Sequence, residues 1–282
     1  MLLELAVGDA YGAGFEYASD ALIREHNAAA YYIQHPRHNI RPGCYTDDTQ
    51  MSLAVAEAVV SGERWTALNL ARRFVDAFRR DPREGYAAGF YAFLQEVTSG
   101  EEFLQRIRPH SDKSGAAMRA GPLGVLPTVG EVVEKCRVQA ALTHDTPDGV
   151  NAATASALMT HYLLYRLGPK KDLGSFLESE VPGQWSAAWH GKVGPKGWMS
   201  VRAAVTAVMR NERLSELLKD CIAFSGDVDT VATIALAAAS CDEEYEQDLP
   251  ENLVLTLENG PFGRDYLVEL DRQLLSRTGR GT

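Results

Sequence analysis

From Val231 to Ala239 the chain reads Val-Ala-Thr-Ile-Ala-Leu-Ala-Ala-Ala, which is apolar nearly all the way round a helix. A helix with no polar face belongs at the centre of a structure, covered on all sides by other elements. The elements available to cover it are themselves helical. Met51, Ala54, Val55, Ala58 and Val59 recur with a helical period, as do Ala71, Phe74, Val75 and Phe78. Val129, Val132, Val133 and Cys136 make a third stripe, and Ala152, Ala155, Leu158, Met159, Tyr162 and Leu163 a longer fourth. Tyr266, Leu267, Leu270 and Leu274 add a fifth. Period-two runs bounded by turn residues are lacking, apart from short ambiguous stretches such as Tyr31-Tyr32-Ile33. The pattern predicts an all-α fold.

A chain of 282 residues that is 45% hydrophobic is long enough for one sizeable core. No repeat, charge block or low-complexity linker divides it, so a single domain over residues 1–282 is expected. Three long Gly-, Pro- and polar-rich segments, 35–45, 108–128 and 182–197, interrupt the helices and carry many of the His, Lys, Arg and Trp residues. Long loops in a compact helical protein are usually functional, and these are expected to wall a site. The net charge of -10 excludes bulk attraction to nucleic acid or to an anionic membrane surface. Four cysteines without a CxxC or Cys/His spacing indicate neither a disulfide framework nor a zinc site. The segment Met1-Leu2-Leu3-Glu4 has neither a basic region nor an apolar run of signal length. No segment approaches the roughly 20 apolar residues of a membrane span. A cytoplasmic location and a monomeric state are the expectations.

Two acidic segments stand at helix starts. Thr46-Asp47-Asp48-Thr49 precedes the stripe from Met51, and Asp227-Val228-Asp229-Thr230 precedes the apolar helix from Val231. Capping explains part of this, because Asp and Thr are favoured N-caps and carboxylates favour the positive end of a helix dipole. Yet one cap uses one side-chain oxygen, whereas each segment offers two carboxylates and a hydroxyl. Four carboxylates brought together repel and raise one another's pKa unless cations neutralise them. Mg²⁺ and Mn²⁺ prefer such oxygen donors. The second segment opens the central helix, where an uncompensated acidic group would be costly. Capping and cation binding both remain open at this point.

Smaller signals lie between. Gly8-Asp9-Ala10-Tyr11-Gly12-Ala13-Gly14-Phe15-Glu16 suits either helix packing or close approach to a ligand. Gly85-Tyr86-Ala87-Ala88-Gly89-Phe90 matches neither a Walker A nor a Rossmann pattern. Lys113-Ser114-Gly115-Ala116-Ala117-Met118-Arg119 leads into a helix whose amides suit an anion, or is an ordinary loop. Thr143-His144-Asp145 holds a histidine that suits a base or ribose, or a structural role.

Taken in order, these segments resemble the ADP-ribosylglycohydrolase family, over nearly the whole length. The marks are Gly8-Asp9-Ala10 with Phe15-Glu16, Tyr45 to Thr49, Gly115 to Arg119, Thr143-His144, and Gly226 to Thr230. The resemblance implies a compact, orthogonal helical bundle with a two-metal cleft holding two divalent cations, Mg²⁺ or Mn²⁺. By the same resemblance Thr46, Asp47, Asp48 and Asp229 hold one cation, and Asp227, Asp229 and Thr230 the other, with Asp229 as bridge. Glu16 stands beside them and gates or assists the reaction. Gly85 and Gly89 contact phosphates, Ser114, Gly115, Ala116 and Met118 line the ligand cleft, and His144 lies near the adenosine end. Three places depart from the family pattern: Lys113-Ser114-Gly115 replaces Gly-Asn-Gly, Ser225-Gly226-Asp227 replaces Gly-Gly-Asp, and Asp145 and Asp148 differ from the usual loop after the histidine.

The implied activity is hydrolysis of the glycosidic bond between ADP-ribose and an acceptor, a protein in the first instance, releasing ADP-ribose. Asp48 or Glu16 would accept the water proton, and Asp229 would act from the bridge. Two other readings suit the same residues: a different two-metal hydrolase such as a phosphoesterase, and a non-catalytic ADP-ribose binder.

Overall fold

The computed structural model describes residues 1–278. At its centre runs the helix Val228–Ala239, every residue of which is buried. Val231, Ile234 and Leu236 are at most 2% exposed, and burying each such side chain contributes about 1.5–3 kcal/mol. Around it lie Leu2–Ala13, Asp47–Ser61, Pro147–Tyr165, Gly197–Arg210 and Leu214–Ala223, with Ala67–Arg80 and Arg264–Leu275 further out. Among the described residues the chain forms no sheet, only isolated β-bridges such as Val193 with Gly226. The all-α expectation is met, and the ambiguous Tyr31-Tyr32-Ile33 run forms no strand. None of the described helices is long and apolar enough to cross a membrane.

The stripes face inward as their period requires. Met51, Ala54, Val55 and Ala58 are buried, as are Ala71, Phe74, Val75 and Phe78, while Val129, Val133 and Tyr266 are only partly covered. Helix starts are set by local chemistry: Thr66, Ser99, Thr128 and Thr146 each accept a backbone N–H of the first turn. Pro147 follows Thr146 at the first helical position, where its missing N–H is harmless. The four cysteines are free, Cys136 and Cys221 being buried.

One segment behaves otherwise than as a long loop. Within 108–128 the chain forms a short helix, Gly115–Met118, and a 3₁₀ turn, Gly121–Val125, whose residues are all buried. Only its first part faces the cleft, and the rest is core. Pro122 and two glycines mimic loop composition, but Leu123, Val125 and Leu126 are apolar enough to pack.

The N-terminal helix Leu2–Ala13 lies along the central helix at short range because its contact residues are glycines. A Cβ on Gly8 would stand 2.8 Å from the Ala232 carbonyl oxygen, and one on Gly12 would stand 2.4 Å from Asp229 Cα. Of the two roles open to this segment, packing is therefore one it fills. Gly12→Ala is expected to force the helices apart, lowering stability by about 1–3 kcal/mol. The midpoint of urea unfolding would fall at unchanged slope. Gly130→Ala, whose Cβ meets nothing within 4 Å, should leave the midpoint unchanged or raise it slightly.

Candidate active site

Asp9, in the middle of the N-terminal helix, is fully buried and accepts four hydrogen bonds. Thr46 donates its backbone N–H (2.9 Å) and hydroxyl (2.8 Å), and Thr49 its N–H (2.9 Å) and hydroxyl (2.6 Å). Asp9 thus caps the Asp47–Ser61 helix from another element, and the Thr46 hydroxyl adds a longer bond from Asp48 N–H at 3.3 Å. The Thr46, Asp48 and Thr49 N–H groups are therefore satisfied without the Asp48 carboxylate, and the Asp47 carboxylate accepts no more than its own N–H. Most of their oxygen donors are surplus to capping at this end. Asp227 occupies the N-cap position of the central helix but makes no side-chain cap bond. Asp229 Oδ1 accepts its neighbour's amide, Thr230 N–H, at 3.0 Å.

The carboxylates of the second segment converge with that of Glu16. Oxygens of Glu16, Asp227 and Asp229 lie within 4.8 Å of one another. Asp48 stands beside Thr230, which opposes the rise of its pKa, and its Oδ2 is buried with no hydrogen-bond partner. Burial, reinforced by neighbouring carboxylates, holds Asp47, Asp48 and Asp229 well above the usual carboxylate range. Asp227 is pushed up to about 6 by burial and by Glu16, opposed by hydrogen bonds from Ser114 and Ser200. Ser114 stands where the family pattern has Asn, so this departure keeps a polar partner for Asp227. A buried set of acids with an orphaned oxygen is the donor chemistry that hard divalent cations satisfy.

Backbone geometry brings the acids in. Gly226 has φ +95° and a Cβ there would fall 1.9 Å from the Val193 carbonyl oxygen. The neighbouring Ser225 adopts φ +59° without a glycine's freedom, a strain of order 1 kcal/mol. Val193 N–H donates to Ser225 O (2.9 Å) and Asp227 N–H to Val193 O (3.2 Å). The 182–197 segment therefore contributes chiefly by clamping Asp227, and of its residues only Pro195 faces the cleft. On the opposite side Gly85, at φ +108°, lets the chain pass beside Asp47, where a Cβ would meet Asp47 Oδ1 at 2.3 Å.

Above this floor opens a cleft of about 790 Å³. Gly85, Gly89, Ser114, Gly115, Met118 and His144 line it, with Glu16, Asp47, Asp48, Asp227, Asp229 and Thr230. Two expected residues do not. Thr46 is 1% exposed with its hydroxyl turned to Asp9, and Ala116 is fully buried behind the wall, its carbonyl accepting Gln139 Nε2–H. Of the 35–45 segment only His38 reaches the cleft wall.

His144 is held in one form by a relay. The buried Arg119 guanidinium donates to Thr143 Oγ1 (2.8 Å), which lies 2.7 Å from His144 Nδ1. With its oxygen accepting from Arg119, the Thr143 hydroxyl is free to donate to Nδ1, which would leave the ring proton on Nε2, on the side of Gly115. Burial, with Arg119 nearby, pushes the imidazole down to about 3 and keeps it neutral. Sequence reasoning missed this relay, the cap by Asp9, and the outer aromatic wall of Phe90, Tyr91 and Phe93 beside Arg106 and Arg108. Only Asp9 had a signal, as the one acid in the run Leu5 to Ala13, with two threonines three residues apart at the start of a later helix.

Comparison with known proteins shows the family to which the chain belongs. A sequence profile of the ADP-ribosylglycohydrolase family matches residues 1–282. ADP-ribosylhydrolase ARH3 of Xenopus tropicalis is 27% identical over 84% of this chain and 84% of its own length. The human ADP-ribosylhydrolase ARH3 is 27% identical over 64% of this chain, and the match spans 55% of that protein. ADP-ribosyl-(dinitrogen reductase) glycohydrolase of Rhodospirillum rubrum is 28% identical over 60% of this chain and 58% of its own length. A solved ADP-ribosylglycohydrolase-related protein complex shares the fold, with TM-score 0.70 at 21% identity over 98% of this chain and 96% of that one.

Asp9→Asn would turn one acceptor oxygen into a donor facing other donors. An expected loss of about 1–3 kcal/mol should appear in chemical denaturation. A second expectation concerns pH. Asp227 titrates near 6 in the folded chain and near 3.8 when unfolded, so the folded state binds the extra proton. Its contribution, on the order of 3 kcal/mol, is present below about pH 4 and lost as pH rises through 6. Chelator-treated protein should therefore lose stability between pH 4 and 7 relative to protein in excess Mg²⁺ or Mn²⁺. Parallel pH profiles in the two conditions would sink that expectation.

Proposed function

The chain belongs to the ADP-ribosylglycohydrolase family and removes ADP-ribose from an acceptor, and we propose that it does so with two divalent cations, Mg²⁺ or Mn²⁺, held over the acidic floor. Thr46, Asp47, Asp48 and Asp229 would hold one, and Asp227, Asp229 and Thr230 the other, with Asp229 shared. The observation that carries this reading is the unpartnered, buried Asp48 Oδ2 among raised carboxylates whose capping work is done by Asp9. Thr46 would serve through its remaining lone pair, since its proton is given to Asp9. Bound cations supply positive charge that polarises ribose hydroxyls and acidifies the attacking water.

The chain's own residues supply the rest. Asp48 or Glu16 accepts the water proton, and carboxylates around the anomeric carbon stabilise positive charge as the acceptor departs. The cleft combines linings that suit ADP-ribose: the acids Glu16, Asp47, Asp48, Asp227 and Asp229, the glycines Gly85, Gly89 and Gly115, and the rings of Phe90, Tyr91 and Phe93. Backbone N–H groups there suit a pyrophosphate, which accounts for an anionic ligand on an acidic protein. His144 Nε2–H would donate to the adenosine portion. A protein side chain is the acceptor class we favour. No further cofactor is invoked.

Offered arginine-, serine- and base-linked ADP-ribose and O-acetyl-ADP-ribose in Mg²⁺ or Mn²⁺, the wild type should release ADP-ribose from at least one. Asp227→Ala or chelation should lower that rate by about a hundredfold or more. Release of phosphate from simple phosphoesters without ADP-ribose release would establish the phosphoesterase reading instead. ADP-ribose binding without turnover of any acceptor would establish the binding-only one.

A further inference from the structure

Glu16 leaves the end of the N-terminal helix and points its carboxylate to within 4.8 Å of oxygens of Asp227 and Asp229. Like charges at that range repel, and a side chain just beyond a helix end has room to turn away. Two residues of the 35–45 segment hold it in place. His35 Nε2 lies 2.9 Å from Glu16 Oε2, and Arg37 Nη2 lies 3.3 Å from Oε1. The two grips are unequal. Arg37 has half its side chain in water, where an ion pair is screened and weak, whereas the His35 side chain is 1% exposed.

The tautomer of His35 is fixed by its other nitrogen. Nδ1 accepts the backbone N–H groups of Arg37 (3.0 Å) and His38 (3.1 Å). A nitrogen that accepts carries no proton, so the proton of the neutral ring sits on Nε2 and is donated to Glu16. The same geometry disposes of another reading. Glu16, His35 and His38 bring one donor atom each within 4.8 Å, a spacing that would suit a metal ion. A ligating histidine presents a lone pair to the metal and an N–H to its second partner, the reverse of what His35 does. Nε2 is committed as a donor.

We infer that His35 is a positioning residue for the glycohydrolase reaction, a buried N–H donor that fixes the Glu16 carboxylate at the acidic floor. It ties the 35–45 segment to the reaction centre although His35 itself does not line the cleft. The inference rests on the reading of Glu16 as part of that centre. It predicts a defect that passes entirely through Glu16.

The test compares full-length wild type with His35→Ala, His35→Gln, Glu16→Ala and the His35→Ala/Glu16→Ala double variant. On an acceptor that the wild type cleaves in Mg²⁺ or Mn²⁺, His35→Ala should lower kcat roughly tenfold or more. KM and ADP-ribose affinity should stay within about twofold. His35→Gln keeps an N–H donor and should recover much of the rate. In the Glu16→Ala background His35→Ala should have no further effect. Independent multiplicative effects of the two substitutions, or a defect in KM alone, would overturn the assignment. A second readout needs no turnover. In protein labelled with ¹⁵N-histidine, the signal lost in His35→Ala should carry the Nε2–H pattern and shift in Glu16→Ala. An Nδ1–H pattern, or a signal indifferent to Glu16, overturns the contact even if no acceptor is cleaved, in which case the hydrolase reading fails separately. Should His35→Ala fail to fold, His35→Gln and Glu16→Ala still decide it.

Discussion

Everything at the floor of the cleft depends on the Asp9 carboxylate. It satisfies the N–H and hydroxyl groups of both Thr46 and Thr49, so it fixes the start of the Asp47–Ser61 helix against the N-terminal helix. Burial pushes its pKa up, and the four donors oppose that rise. Its role is to discharge the helix's capping requirement from outside. Asp47 and Asp48 are thereby left with oxygens that no local structure needs.

The second acidic segment is brought to the first by contacts too close for side chains. Gly8 and Gly12 let the N-terminal helix lie on the backbone of the central helix, which places Asp9 and Asp229 within one packed layer. Gly226, with φ in the left-handed region, lets the 182–197 segment clamp Asp227 through Val193. Ser225 takes a left-handed conformation beside it, held by the clamp of two backbone hydrogen bonds. Small residues here position charges; the larger side chains supply the burial that makes those charges matter.

Charge along the cleft is arranged by fixed protonation states as well as by position. The floor is crowded with carboxylates that burial and mutual repulsion hold above their ordinary range. Burial and the nearby Arg119 leave His144 neutral, with Nδ1 against the Thr143 hydroxyl. His35 is set by two backbone amides. His35 therefore presents a donor whose direction is determined by what its other nitrogen touches.

The sequence by itself determined the helical class, because burial on one face imposes a 3.6-residue period that Met51 to Val59 and Ala71 to Phe78 display openly. It determined the central place of Val231 to Ala239, since a helix apolar all round has no stable position at a surface. It also marked the two acidic segments as more than caps require. What it left open was decided by contacts between residues far apart in the chain. Capping by Asp9 crosses 37 residues to Thr46, and the His35 contact crosses 19 to Glu16. Ala116 lies behind the cleft wall although Gly115 lines it, because adjacent residues in a short helical turn point in different directions, and Thr46 turns its hydroxyl to Asp9 although Asp47 lines the cleft. Within 108–128, proline and glycine suggested open loop, and the tertiary structure folded its second half into the core. Local sequence carries propensity and period; which side chain satisfies which buried polar group depends on pairings that exist only once the helices have packed.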